Sequence, residues 1–165
     1  MGSEMCIRDR SEAVRNLVEM RLNEGAYLKS DLESRLDVMR KNLSKIAELS
    51  SKVVENHRES LFKRLSASGL DLDISDERVI KEIGIFAERC DITEEITRLE
   101  SHFAQSEKYF NNEGSVGRPL DFLVQEMSRE LNTIGSKAND AEIAQTIVET
   151  KTELEKIREQ VQNVE

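Results

Sequence analysis

The sequence predicts an all-α protein: a long amphipathic helical arm packed with a C-terminal bundle of several helices. Three observations predict it. From Ala26 to Ser68 there is neither Gly nor Pro, and apolar residues recur every three or four positions. The downstream segments carry the same spacing, interrupted by short breaks. Aromatic residues make up only 4%, and no β-branched runs suggest a sandwich or barrel.

Composition narrows the classes further. The 165 residues hold 24 Lys+Arg against 33 Asp+Glu, a formal net charge of −9. That length suits one domain, or a small domain with an extension. No unbroken apolar run exceeds three residues, far below the ~20 a membrane helix needs. One Pro and seven Gly exclude collagen-like and Pro-rich classes. Cys6 and Cys90 are the only cysteines, so no disulfide framework or Cys-based zinc site is available and the compartment reads as reducing. The acidic balance argues against passive wrapping of nucleic acid, which needs surplus cations, but leaves room for an acidic, metal-assisted site acting on RNA.

Residues 1–10 (MGSEMCIRDR) have neither the apolar core of a secretory signal nor an amphipathic pattern. They read as an assembly scar joined to a chain that is helical by Glu12. Residues 11–69 read as the arm and 70–165 as a C-terminal helical domain. In the arm, Leu28, Leu32, Leu36, Met39, Leu43, Ile46, Val53, His57, Leu61 and Leu65 form one stripe. Such a rod needs a surface to pack against. Val38, Leu49, Val54 and Phe62, lying off the stripe, favour a partner subunit. Gly25 is expected to interrupt the helix or admit another backbone, and Gly69 to stop it.

Leu70 to Ile74 alternates like a strand but has no second strand to pair with. Ser75 is the expected N-cap of a helix with the stripe Val79, Ile80, Ile83, Phe86, Ala87 and Cys90. Asp91 and Glu94 resemble a capping box opening a further helix through Ile92, Ile96, Leu99, Phe103 and Phe110. Asn111 to Arg118 is a loop, and Pro119 is expected at the first helical position. Leu120, Leu123, Met127, Leu131 and Ile134 continue at helical spacing up to a break at Gly135–Asp140. The last helix carries Ile143, Ile147, Leu154, Ile157, Val161 and Val164.

Two of these helices carry a polar stripe displaced by one residue, about 100° around the axis. Asp91, Glu95, Arg98 and His102 line the first, and Glu126, Arg129, Glu130, Thr133 and Lys137 the second. Flanking stripes meet at the edge of a core, where carboxylates are perturbed and a cation is half-enclosed. Glu126 and Glu130 are like charges four residues apart. Either a divalent ion or a bridging Arg relieves their repulsion, so the pair reads as a metal-assisted phosphodiester site or as an Arg129-centred salt-bridge lattice.

His102 is a general acid or base, a metal ligand, or a half-buried imidazole satisfied by a carboxylate. His57, on the apolar stripe, reads as packing. Gly114 to Pro119 precedes a helix N-terminus, where Arg118 and backbone N–H groups favour phosphate. It is equally an ordinary turn, and it is not a Walker A loop. Ser101 and Ser115 lack a nucleophile elbow, and Cys90 reads as core. The polar residues between Asn132 and Asp140 cap helix ends or contact ribose and phosphate. The charges of the last helix, Lys151 and Arg158 among them, read mostly as solvated faces.

Four blocks resemble the YicC-like family of bacterial proteins. Leu120–Asp140 (LDFLVQEMSRELNTIGSKAND) and Thr152–Glu165 (TELEKIREQVQNVE) resemble its C-terminal hallmark. Met20–Gly25 (MRLNEG) resembles its entry into the helical region, and Asp91–His102 (DITEEITRLESH) its central motif. The resemblance implies a cytoplasmic, oligomeric, divalent-metal-dependent endoribonuclease of RNA turnover and stress response. It also implies a separate preceding domain, so that this chain holds a portion of the whole.

Carried over by position, Glu95, Arg98, His102 and Arg129 become the expected catalytic residues. Gly117, Arg118 and Lys137 become the expected RNA phosphate contacts. The chemistry of the residue types then suggests Glu126 and Glu130 as ligands for Mn²⁺ or Mg²⁺. His102, oriented by Glu95, would be the acid or base, and Arg98 and Arg129 would stabilise transition-state charge. A route without metal would have His102 and a carboxylate activate the ribose 2′-OH. The expected partners are RNA and further copies of the chain through the arm, with no membrane. The competing function is a non-catalytic oligomerisation or RNA-clamping module, and a coiled-coil adaptor unrelated to RNA is a third.

Overall fold

The computed structural model describes residues 2–69, 76–112 and 114–162, with side chains from Arg10 onward. Every regular element among them is a helix: α1 (Gly2–Ala67), α2 (Glu77–Cys90), α3 (Thr93–Phe110), α4 (Gly117–Lys137) and α5 (Ala141–Val161). None is long and apolar enough to cross a membrane. The chain forms two compact units, residues 1–34 and 35–165. The expected strand-like stretch Leu70–Ile74, Ser75 and Val164 lie outside the described residues.

In the first unit α1 runs without interruption through Gly25, contrary to expectation. A Cβ built there meets nothing within 4 Å, so no close backbone approach calls for glycine. Val14, Leu17, Val18 and Leu22 are exposed. Lys29 and Glu33 pair across one turn at 3.9 Å.

In the second unit the predicted arm stripe is the buried face. Leu36, Met39, Leu43, Ile46 and Val53 are all buried, whereas Val38, off the stripe, is exposed. α4 packs on both α3 and α5. Lying between two neighbours, it needs a wide apolar face, and Leu120, Leu123, Val124, Met127, Leu131 and Ile134 supply it. α1 reaches α5 through Arg35–Glu153 (3.0 Å) and Lys45–Glu142 (2.9 Å), an antiparallel register. On its other side Arg40 pairs with Glu107 of α3 at 2.7 Å and lies over the Phe103 ring. His57 stacks on Phe86 of α2 with centroids 3.5 Å apart.

The helix ends follow local chemistry, with small shifts from expectation. Gly69 adopts φ +74° just past α1, the left-handed conformation that glycine enters without strain. Asp76 caps α2, accepting from the Arg78 N–H at 2.9 Å. Asp91 accepts from both the N–H and hydroxyl of Thr93. The reciprocal half of the expected capping box is not formed, because Glu94 turns to Arg98. α4 begins two residues before Pro119, which still lies in the first turn, where a missing N–H costs nothing. Gly135 stays helical, and the break narrows to residues 138–140, where Asp140 caps α5 through the N–H groups of Glu142 and Ile143. The buried hydroxyls of Thr146 and Thr150 donate to carbonyls one turn back.

Candidate functional site

The two predicted polar stripes meet along the α3–α4 seam. Leu99 and Phe103 bury α3 against α4, and this brings the residues beside them face to face. Lys137 Nζ donates to Glu95 Oε1 at 2.7 Å and to the Asp91 carbonyl at 3.1 Å. One turn along, Arg98 donates to Glu130 Oε1 at 3.4 Å while also holding Glu94. Arg129 pairs with Glu126. His102 stands one further turn along α3 from Arg98.

The seam is unevenly solvated. Glu95 and Glu130 are buried, whereas Arg98 and Arg129 are largely exposed. Buried carboxylates facing exposed guanidiniums give a layered site, with anions inside and cations outside. The hydrogen bond to Glu95 holds the Lys137 ammonium above its ordinary range. Thr93, through its hydroxyl and N–H, holds the Asp91 carboxyl below the carboxylate range. Two buried polar atoms in the seam lack a hydrogen-bond partner, Glu95 Oε2 and His102 Nδ1.

The predicted site residues do not all converge. Lys137 and the Gly117–Arg118 pair stand at opposite ends of α4, and twenty residues at 1.5 Å rise separate them by roughly 30 Å. They do not share one phosphate. Glu95 and His102 are seven residues apart on α3, and the Glu95 hydrogen bond goes to Lys137. The expected orientation of His102 by Glu95 is not formed. His57 is packing, as read from its stripe, and Cys90 is half-buried, with its thiol pushed up by desolvation.

The carboxylates as placed do not fit a divalent ion. Of the two resolutions open for Glu126 and Glu130, the arginine lattice is the one formed, with Arg129 on the first and Arg98 on the second. Among the described residues no group of three or more His, Cys, Asp or Glu side chains is placed to hold a metal, and hard cations take several oxygen ligands.

Sequence reasoning missed a second feature. Between α4 and α5 lies a groove of about 390 Å³ lined by Arg129, Lys151 and Arg158 among others. On α5 alone these cations look like members of an exposed charge lattice. Only the packing on α4 places them beside Arg129.

Comparison with known proteins places the chain in a family. Residues 46–165 match the family described as "Endoribonuclease YicC-like, C-terminal". The chain belongs to this family. It is 46% identical over 155 residues to a protein of Clostridioides difficile named probable endoribonuclease YicC, covering 93% of this chain and 53% of that one. A Haemophilus influenzae protein of the same name is 37% identical over 150 residues, covering 91% and 52%. The chain thus spans about half the length of the curated relatives it matches.

Proposed function

We propose that the chain is the C-terminal part of an endoribonuclease that cleaves RNA phosphodiester bonds, with its reacting groups on the α3–α4 seam. The observation that carries this reading is His102, whose half-buried imidazole keeps Nδ1 without a partner one turn along α3 from Arg98, the residue that reaches across to Glu130. An imidazole nitrogen can accept a proton and give it back. With RNA on the seam, His102 removes the proton of a ribose 2′-OH. The 2′-oxygen then bonds to the adjacent phosphorus and the bond to the 5′-oxygen breaks. That oxygen leaves with a proton taken from solvent water, giving a 2′,3′-cyclic phosphate and a 5′-OH end, and the proton held on His102 returns to solvent. Arg98 and Arg129, exposed and held by carboxylates, offer their remaining N–H donors to the charge gathering on the phosphoryl oxygens. Glu95 and Lys137 are positioning residues that fix α3 against the end of α4. The reading implies a cytoplasmic protein of RNA turnover and stress response.

The test is incubation of the chain with an end-labelled structured RNA, with and without Mn²⁺ or Mg²⁺, beside His102→Ala and Glu130→Gln. Cleavage leaving a cyclic phosphate in EDTA, lost in His102→Ala, is expected. Cleavage that needs metal, leaves a 3′-OH and survives in His102→Ala would overturn this mechanism and restore Glu126 and Glu130 as ligands.

A second reading is favoured by the exposed Val14, Leu17, Val18 and Leu22 of α1. In it the chain joins copies of itself through the arm and clamps RNA while chemistry lies elsewhere. A monomer by light scattering would remove it.

A further inference from the structure

The α4–α5 groove carries more of the substrate's geometry than the seam does. Its floor is apolar, formed by the buried Val124 and Leu154, and its rim holds Arg129, Lys151, Arg158 and one carboxylate, Glu155. Three cations against one anion stand out in a chain whose net charge is −9. Lys151 has no ion-pair partner among the described residues. Arg158 meets Glu155 only at 3.6 Å, with both side chains at least half exposed. Arg129 is 70% exposed and uses one nitrogen on Glu126. The cations therefore retain free donors facing an open groove, an arrangement complementary to an anion.

Phe122 identifies the kind of anion. It is 59% exposed and stands seven residues before Arg129, two turns along the same face of α4. A basic groove with an aromatic platform at its side is the combination that binds single-stranded nucleic acid: cations follow the phosphates while a base stacks on the ring. A folded acidic protein would use the cations but has no need of an exposed flat ring beside them.

We infer that the α4–α5 groove is a track for single-stranded RNA, with backbone phosphates on Arg129, Lys151 and Arg158 and a base stacked on Phe122. Arg129 lines the groove and holds Glu126, one turn along α4 from the Glu130 that Arg98 reaches, so a strand lying in the groove runs towards the seam. The inference rests on the RNA-cleaving reading and adds where, and in which strandedness, the substrate lies.

The experiment is fluorescence anisotropy of the full chain with a labelled 12-nucleotide single strand and with the same sequence as a blunt duplex, over a series of salt concentrations. The variants are Lys151→Gln/Arg158→Gln, Phe122→Ala and Glu155→Gln, each checked by circular dichroism for an unchanged helical spectrum. The wild-type chain is expected to prefer the single strand. The double variant is expected to bind about tenfold more weakly, with a log–log salt slope smaller by about 1.4. Phe122→Ala is expected to lose about fivefold or more, and Glu155→Gln to bind more tightly. Wild-type binding that the double variant and Phe122→Ala reproduce would overturn the track and leave the RNA reading standing. Failure of the wild-type chain to bind either RNA would overturn both.

Discussion

Lys137 closes the last turn of α4 on Glu95 of α3, at 2.7 Å across 42 residues of sequence. The lysine remains about one-third exposed while the carboxylate is almost fully buried. Loss of the two partners therefore has unequal consequences. Lys137→Met strands a buried carboxylate, whose desolvation is then uncompensated. Glu95→Gln leaves a lysine that can turn to water. The urea midpoint is expected to fall more for Lys137→Met than for Glu95→Gln. The reverse order would mean that water reaches Glu95 freely.

Phe103 is 1% exposed and sits where α3 meets the core, with Arg40 of α1 over its ring. Phe103→Ala is expected to cost about 3–5 kcal/mol in urea denaturation, the range for a truncated core aromatic. Arg40→Met keeps most of the aliphatic stem and is expected to cost less than about 1 kcal/mol, because its pair with Glu107 is solvated.

Acid is expected to loosen the α1–α5 contact. Hydrogen bonds from Lys156 and then Arg35 hold the Glu153 carboxyl below its ordinary range, against the opposing effect of burial. A folded-state pKa below the unfolded value means that the folded state favours the ionised form. The stabilisation is complete above the unfolded value, near ~4.3, and is lost as pH falls through the folded one. Asp76 and Asp91 are shifted the same way. Melting temperatures recorded from pH 7 down to pH 3 should fall through this window. Glu153→Gln should lie lower at pH 7 and show a shallower acid slope.

Gly135 offers a gain in stability. It lies inside α4, and an added Cβ would stand 3.8 Å and 3.9 Å from two Ile147 side-chain carbons, ordinary van der Waals distances. Gly135→Ala is expected to stabilise by about 0.5–1 kcal/mol through helix propensity and a less mobile unfolded chain. A lower urea midpoint would show that α4 and α5 need the closer approach.

Much of the architecture was legible because it is periodic. Leu36, Met39, Leu43 and Ile46 announce one helical face whatever they pack on, and the structure buries all four. Helix ends lie within one to three residues of their expected places: Asp76 rather than Ser75 is the cap seen, Pro119 sits third rather than first in α4, and α4 runs on to Lys137 past the expected break at Gly135. Such shifts arise because neighbouring polar residues compete for the same few N–H groups. The seam was legible as two stripes, but not as pairs. That Arg98 takes Glu130 and Lys137 takes Glu95 depends on the register of α3 on α4, which local spacing does not encode. Lys151 and Arg158 were hidden by the glutamates around them on α5.

The arm's attachment also orders events in time. Helices α3, α4 and α5 follow one another through short connections and pack as neighbours, so their contacts close small loops. The bond from Arg35 to Glu153 spans 118 residues. Loop closure over such a distance is entropically dearer and is rewarded only after its landing surface exists. Residues 35–67 of α1 are therefore expected to dock last in refolding, onto three helices already packed, and a probe on Arg35 should report a slower phase than one on Leu131.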